Sequence, residues 1–305
     1  MVYISLYYYL FLAAALVLYY IFPLKKRWCI LLLANMAFYL LFCKSGWWIL
    51  LGTVIVSYAA AILLEKCQGM GKKLLLAGAV IMVLLPWILG RNGSFSWLNI
   101  VGKEPFGLIV PLGISFYTMQ IIAYLADVYK GDVSPQKNLA KYALFITFFP
   151  QLLQGPIPRY GQLGRQLSEG HSFDEEKFTK GFYLIIWGFF LKLVIADKAA
   201  VFVNAVFDNY PAYSGGYIWL ASVLYSIQLY ADFLACTILA QGVSLLFGIE
   251  LAQNFERPYL AVSVQDFWRR WHKSLSSWLR DYIYIPLGGS RKGKGRKYLN
   301  LAAVF

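Results

Sequence analysis

The sequence predicts an all-α, polytopic membrane helical bundle with re-entrant segments and one interfacial amphipathic helix. Three observations predict it. Of the 305 residues, 60% are hydrophobic, and the mean hydropathy is +0.57; soluble domains run at about 45–50% apolar. Apolar runs near the ~20 residues that match a ~30 Å hydrocarbon core follow one another with short loops between them. Finally, no strand-like alternation, internal repeat or low-complexity tract interrupts them. Short loops favour one integrated membrane domain over residues 1–305.

In chain order, residues 2–22 form the first expected span, tyrosine-rich near both ends, without the basic start and cleavage site of a signal peptide. Lys25, Lys26 and Arg27 follow it, and basic loops stay cytoplasmic, which places the N-terminus outside. Residues 28–43 and 46–64 read as an outward and an inward span, joined by a turn at Lys44 and Ser45. The basic, glycine-broken stretch 65–73 is the next inside loop. Residues 74–89 return outward, with Pro86 expected to kink or end the helix. A polar outer loop over 91–104 precedes the span 106–128, which Pro111, Gly113 and Ser115 interrupt. Such a break at membrane depth needs a protein or cavity lining.

Residues 142–153 are too few to cross and read as a re-entrant or tilted segment that returns inside, in which Gln151 and Gln154 need partners if buried. The charged stretch 159–180 is a surface, and His171, beside Ser172 and a run of acids, is expected to be solvated there. Residues 181–206 span outward while carrying Lys192, Asp197 and Lys198. Mid-membrane charges cost about 2.5–3.5 kcal/mol each, so they must face protein or water. Lys192 and Asp197 are offset poorly for pairing on one α-helix, so a partner on another helix is expected. Residues 217–246 run back inward, interrupted by Gln228, Asp232 and Gln241.

The net charge of +13 would suit nucleic acid, but no zinc-finger spacing or soluble recognition module accompanies it. Membrane lipids are the expected partner of these cations, and nucleic acid is excluded. Cys29, Cys43, Cys67 and Cys236 are scattered without a CxxC pair, so neither a metal nor a disulfide framework is inferred. Gly288, Gly293 and Lys294 match GxxxxGK, but Gly295 stands at the Ser/Thr position and no strand precedes it. The basic loop suits lipid heads or an acyl donor better than a cradled nucleotide.

The stretch 257–297 differs from all its neighbours. Val264, Phe267, Trp268, Trp271, Leu275, Trp278, Tyr282 and Ile285 recur at steps of three and four, which predicts one helix. Ser263 and Asp266 suit a capping-box start, and Pro286 with Gly288 and Gly289 suit its end. A basic helix carrying tryptophan on its apolar stripe belongs at a membrane–water boundary. His272 lies beside that stripe, as a histidine satisfied by the backbone or as a neutral proton acceptor near pH 7.

The run WRRWHKSLSSWLRDYIYIPLGGSRKG resembles the signature of the membrane-bound O-acyltransferase (MBOAT) family, and within it the bacterial alginate O-acetylation branch. PLGISFYTMQIIAYLADVYKG, PQLLQGPIPRY and ERPYL are similar to other blocks of that family. The resemblance implies spanning helices around a central funnel in the bacterial inner membrane. It implies transfer of an acetyl group from a cytosolic thioester, acetyl-CoA or an acyl carrier, toward a hydroxyl of an exported polysaccharide, with no bound cofactor or metal. Implied partners are an extracytoplasmic acyltransferase, polysaccharide export machinery and an acyl carrier protein.

By the same resemblance His272 is the catalytic candidate, matching the first of two family histidines. Asp232 matches a family acid, and Trp268, Arg269, Trp271, Ser276, Arg280 and Asp281 are candidate substrate-binding or funnel-lining residues. Leu234 and Ala235 stand where the family carries serine and glycine, which removes any hydroxyl role there. The second family histidine belongs to a later helix, so the 305 residues read as about the N-terminal two-thirds of a member, expected to transfer little on their own. Within the enzyme class, D-alanyl transfer to teichoic acid is the rival. Outside it stand a transporter or flippase component, suggested by kinked helices and intramembrane charges, and an inactive scaffold fragment.

Overall fold

The structure, a computed structural model, describes residues 4–43, 46–91, 111–152, 154–291 and 293–304. The expected turn at Lys44 and Ser45, the outer loop beyond Arg91 and the start of the span 106–128 lie outside them. All regular structure among the described residues is helical. In order these are α1 (Leu6–Ile21), α2 (Arg27–Phe42), α3 (Trp47–Lys66), α4 (Gly69–Arg91) and α5 (Ile114–Lys130). The short helices α6 (Leu139–Thr147), α7 (Phe149–Leu152) and α8 (Tyr160–Ser168) follow. Then come α9 (Glu175–Phe189), a π-helical segment (Phe190–Ala196), α10 (Asp197–Phe207) and α11 (Gly215–Leu246). The last are α12 (Val264–Arg270), α13 (Lys273–Leu279), a π turn (Arg280–Tyr284) and α14 (Lys294–Ala302).

Among the described residues, three helices are long and apolar enough to cross a membrane: Trp47–Lys66, Gly69–Leu89 and Gly215–Leu246. The sequence predicts seven spans, of which 106–128 begins outside the described residues. α1 and α2 have 16 residues each, about 24 Å at 1.5 Å per residue and short of a ~30 Å core. The expected span 181–206 carries a π-helical interruption and three charges. Pro86 lies within α4, which continues past it to Arg91 instead of ending there. Membrane helices tolerate such a proline when neighbours satisfy the freed backbone.

The chain divides into two compact units, described in turn. The first comprises Met1–Val17, Gln154–Pro156 and His171–Lys273. Its frame is the pairing of α9 and its π-helical continuation with α11. The helices touch backbone to backbone. A Cβ on Gly181 would lie 2.8 Å from the Gly242 carbonyl oxygen, and one on Gly242 would lie 2.8 Å from that of Gly181. Small residues at a crossing allow this approach, which drives helix association where lipid removes the hydrophobic effect.

The second unit comprises Leu18–Leu153, Ile157–Gly170 and Ser274–Phe305. At its centre α7 and one side of α6 are buried, with Tyr142, Leu144, Phe145 and Phe149 at 0% exposure. This agrees with a re-entrant segment, whose non-helical backbone must be satisfied by protein. Asn35, fully buried on α2, satisfies the break: its side chain accepts from Phe149 N at 3.1 Å and donates to Thr147 Oγ1 at 3.2 Å. Gln120 donates to Phe145 O at 2.7 Å and accepts from Gln151 Nε2 at 3.2 Å, which gives Gln151 its partner. Gly113, at φ 77°, begins α5 where a Cβ would lie 2.6 Å from the Leu152 carbonyl oxygen. No side chain fits there.

Candidate active site around His272

The segment expected to be one helix from Val264 to Ile285 is broken at its middle. Its start is as read: Ser263 Oγ accepts from Asp266 N at 3.1 Å, and the Asp266 carboxylate takes Arg270 Nε at 2.9 Å. α12 then ends at Arg270, and Trp271 is extended at φ −94°, ψ 127°. His272 follows at φ 44°, in the left-handed region that non-glycine residues rarely enter. The backbone groups freed by the break pair with residues far back in sequence. Glu256 N donates to Arg270 O at 3.0 Å, and Lys273 N donates to Asn254 O at 2.8 Å. Lys273 Nζ meets Glu256 Oε2 at 2.7 Å and holds that carboxyl below its ordinary pKa. These long-range bonds replace the helical ladder, which explains why local spacing predicted continuity.

The break turns the imidazole into an aromatic box in the first unit. Phe233 of α11 meets the His272 ring edge-on at 4.8 Å and 88°, and buried Phe255 lies 6.5 Å away. Trp271 closes the wall, 5.0 Å from Phe255, 5.4 Å from Phe267 and 5.8 Å from Tyr230. His272 Nδ1 is buried and has no hydrogen-bond partner among the described residues. Burial pushes the imidazole pKa down to about 4, because a low-dielectric surround disfavours the cation. The ring is neutral at pH 7, and the same burial makes it a weaker proton acceptor than a free imidazole. An orphaned buried polar atom costs about 1–3 kcal/mol, and a left-handed non-glycine residue roughly 1–2 kcal/mol. Strain of both kinds at one residue is characteristic of functional positions.

The other sequence-predicted site residues divide between the units. Trp271 belongs to the box. Trp268 and Arg269 are exposed on α12. Asp232 is not bonded to His272; its Oδ1 takes Lys192 Nζ at 2.7 Å. Lys192 also meets Asp197 Oδ1 at 2.8 Å, a pairing the sequence reading judged too poorly offset for one helix. The π-helical segment corrects that reading, since i→i+5 geometry puts residues five apart on one face. The expected partner on another helix is present as well, in Asp232.

Ser276, Arg280 and Asp281 belong to the second unit. There Arg159 Nη2 meets Asp281 Oδ2 at 3.0 Å and Arg280 Nε meets Asp281 Oδ1 at 2.8 Å. The Arg159 guanidinium stacks over Tyr282 at 4.3 Å, and Tyr282 OH donates to Asp127 Oδ1 at 2.7 Å. Trp278 anchors α13, its Nε1 donating to Met119 O at 2.9 Å. Ser276 is half-buried. His171 is half-buried against Gly248, not the solvated residue expected.

Sequence reasoning missed Phe233, Phe255, Tyr230, Arg159 and Asp127 as site neighbours. The aromatic content of YADF and of NFERPY was the available signal for the first three. Among the described residues no group of three or more His, Cys, Asp or Glu side chains is placed to hold a metal ion.

Comparison with known proteins adds an independent line. The sequence model of the membrane-bound O-acyltransferase family matches residues 133–305. A probable alginate O-acetylase, AlgI, of Pseudomonas putida is 37% identical over 314 residues, covering 96% of this chain and 62% of its own length. A peptidoglycan O-acetyltransferase of Helicobacter pylori is 35% identical over 92% of this chain and 59% of its own. A teichoic acid D-alanyltransferase of Bacillus subtilis is 34% identical over 68% of this chain and 53% of its own. The chain spans about three fifths of the length of the first two relatives.

Proposed function

Because the chain belongs to the membrane-bound O-acyltransferase family, we propose that it moves an acetyl group from a thioester donor to a hydroxyl of an exported polysaccharide, with His272 as the general base. The single observation that carries the assignment of His272 is its buried Nδ1 without a partner, on a ring that burial keeps neutral. In the reaction the acceptor oxygen attacks the thioester carbonyl and gives its proton to the imidazole. The C–S bond breaks, and the proton passes on to the departing sulfur. A base in hydrogen-bond reach of that hydroxyl contributes about 10²–10⁴ in rate.

Acetyl is favoured over other acyl groups by the alginate and peptidoglycan O-acetylating relatives, which match over more than nine tenths of the chain. The donor is acetyl-CoA or an acyl carrier protein on the cytosolic face. Onward transfer falls to an extracytoplasmic acyltransferase and the export machinery. The setting is the bacterial inner membrane, with the N-terminus outside, because Lys25, Lys26 and Arg27 follow the first apolar segment. D-alanyl transfer to teichoic acid is the second reading, favoured by the Bacillus subtilis relative.

The test is to delete the gene that carries this chain and measure O-acetyl and D-alanyl esters on the exported glycans. Loss of O-acetyl alone, restored by the wild-type gene and not by His272→Ala, is the expected result. Loss of D-alanyl esters supports the second reading. Full restoration of either ester by His272→Ala overturns the role of His272 and leaves a transport reading in place.

A further inference from the structure

We propose that Lys192 is a positioning residue for His272, acting across the helix pair through Asp232 and Phe233. The proposal rests on the acyl-transfer reading of His272 and extends it to a residue outside the signature helix. Lys192 is 13% exposed and grips two carboxylates at once, Asp197 at 2.8 Å on its own helical segment and Asp232 at 2.7 Å on α11. The Asp197 contact lies within one helical run, whereas the Asp232 contact joins two. The π-helical turn over Phe190–Ala196 sets up the first contact, aligning Lys192 with Asp197.

Asp232 is followed directly by Phe233, and successive helical residues are rotated by about 100°. Fixing α11 about its axis at Asp232 therefore fixes the direction in which the next side chain leaves. Phe233 uses that direction to meet the His272 ring edge-on at 4.8 Å and Phe255 at 5.0 Å. Phe233 is thus the α11 wall of the box that touches the imidazole, beside the charged link. Lys273, next to His272 in the chain, is paired with Glu256 at 2.7 Å. The aromatic walls, with no hydrogen bond to Nδ1, set the ring's surroundings. Loosening α11 locally beside Phe233 would open them to water.

The test uses the full-length protein in nanodiscs with labelled histidine, titrated by NMR. Asp232→Leu leaves Lys192 its partner Asp197 and is the variant expected to fold; Lys192→Met is its counterpart. Each is expected to raise the His272 midpoint by about one pH unit or more as water enters. Asp197→Leu keeps the interhelical link and is expected to leave the midpoint in place. In acyl-transfer assays the first two variants are expected to lower kcat about tenfold or more, with KM within about twofold. An unmoved midpoint in Asp232→Leu, or an equal shift in Asp197→Leu, overturns the positioning role. Absence of transfer in wild-type membranes, with the midpoint shifts present, overturns the catalytic reading alone.

Discussion

Position 272 carries two costs at once, a left-handed backbone at φ 44° and a buried nitrogen without a partner. His272→Gly relieves both, so thermal unfolding in detergent is expected to show an unchanged or raised midpoint while transfer falls about a hundredfold or more. A lowered midpoint would mean that the histidine stabilises the fold. The imidazole also links stability to pH. Its pKa falls from an ordinary value near 6.5 to about 4 on folding, so below pH 6.5 the unfolded chain takes up the proton first. The stability it contributes is present above pH 6.5 and is lost as pH falls through 4. The wild type is expected to lose up to about 3 kcal/mol more than His272→Gln across that window. Parallel unfolding curves for the two proteins between pH 7 and 4 would contradict the burial.

Elements differ in how much of them local pattern could announce. The Ser263 cap was legible because a hydroxyl three residues before an acid needs only adjacent backbone. The break at His272 was not, because Phe267, Trp271, Leu275 and Trp278 keep helical spacing straight through it. The bonds that impose it come from Asn254 and Glu256. The Lys192–Asp197 pair was misjudged for a related reason: spacing presumes an α-helix, and the π-helical turn appears only in three dimensions. The re-entrant character of α6 and α7 could be read from length, but its fastening to Asn35 could not. Replacing Asn35 by leucine orphans the Phe149 N–H and is expected to destabilise the second unit by about 1–3 kcal/mol. Hydrogen exchange over residues 145–152 would report it as faster opening, and unchanged protection there would refute the fastening.

For the molecule as a whole, composition already fixed the class, since 60% hydrophobic content leaves no soluble alternative of ordinary kind. What composition could not supply was the length and form of each helix: α1 and α2 have 16 residues each, and the run through Lys192 passes through a π-helical turn. The candidate site residues were named from the family-like signature, and the three-dimensional partners of His272 are seen through the fold alone. The chain is expected to stay with membranes through alkaline carbonate extraction, as its three spanning-length helices require; release into the soluble fraction would contradict the membrane reading. The most direct measurement of the central claim is single-turnover transfer of labelled acetyl, in membranes carrying the complete gene product, with His272 or with glutamine in its place. A neutral imidazole acting as the base predicts at least about a hundredfold slower transfer in His272→Gln with donor binding unchanged. Equal rates in the two membranes would contradict it.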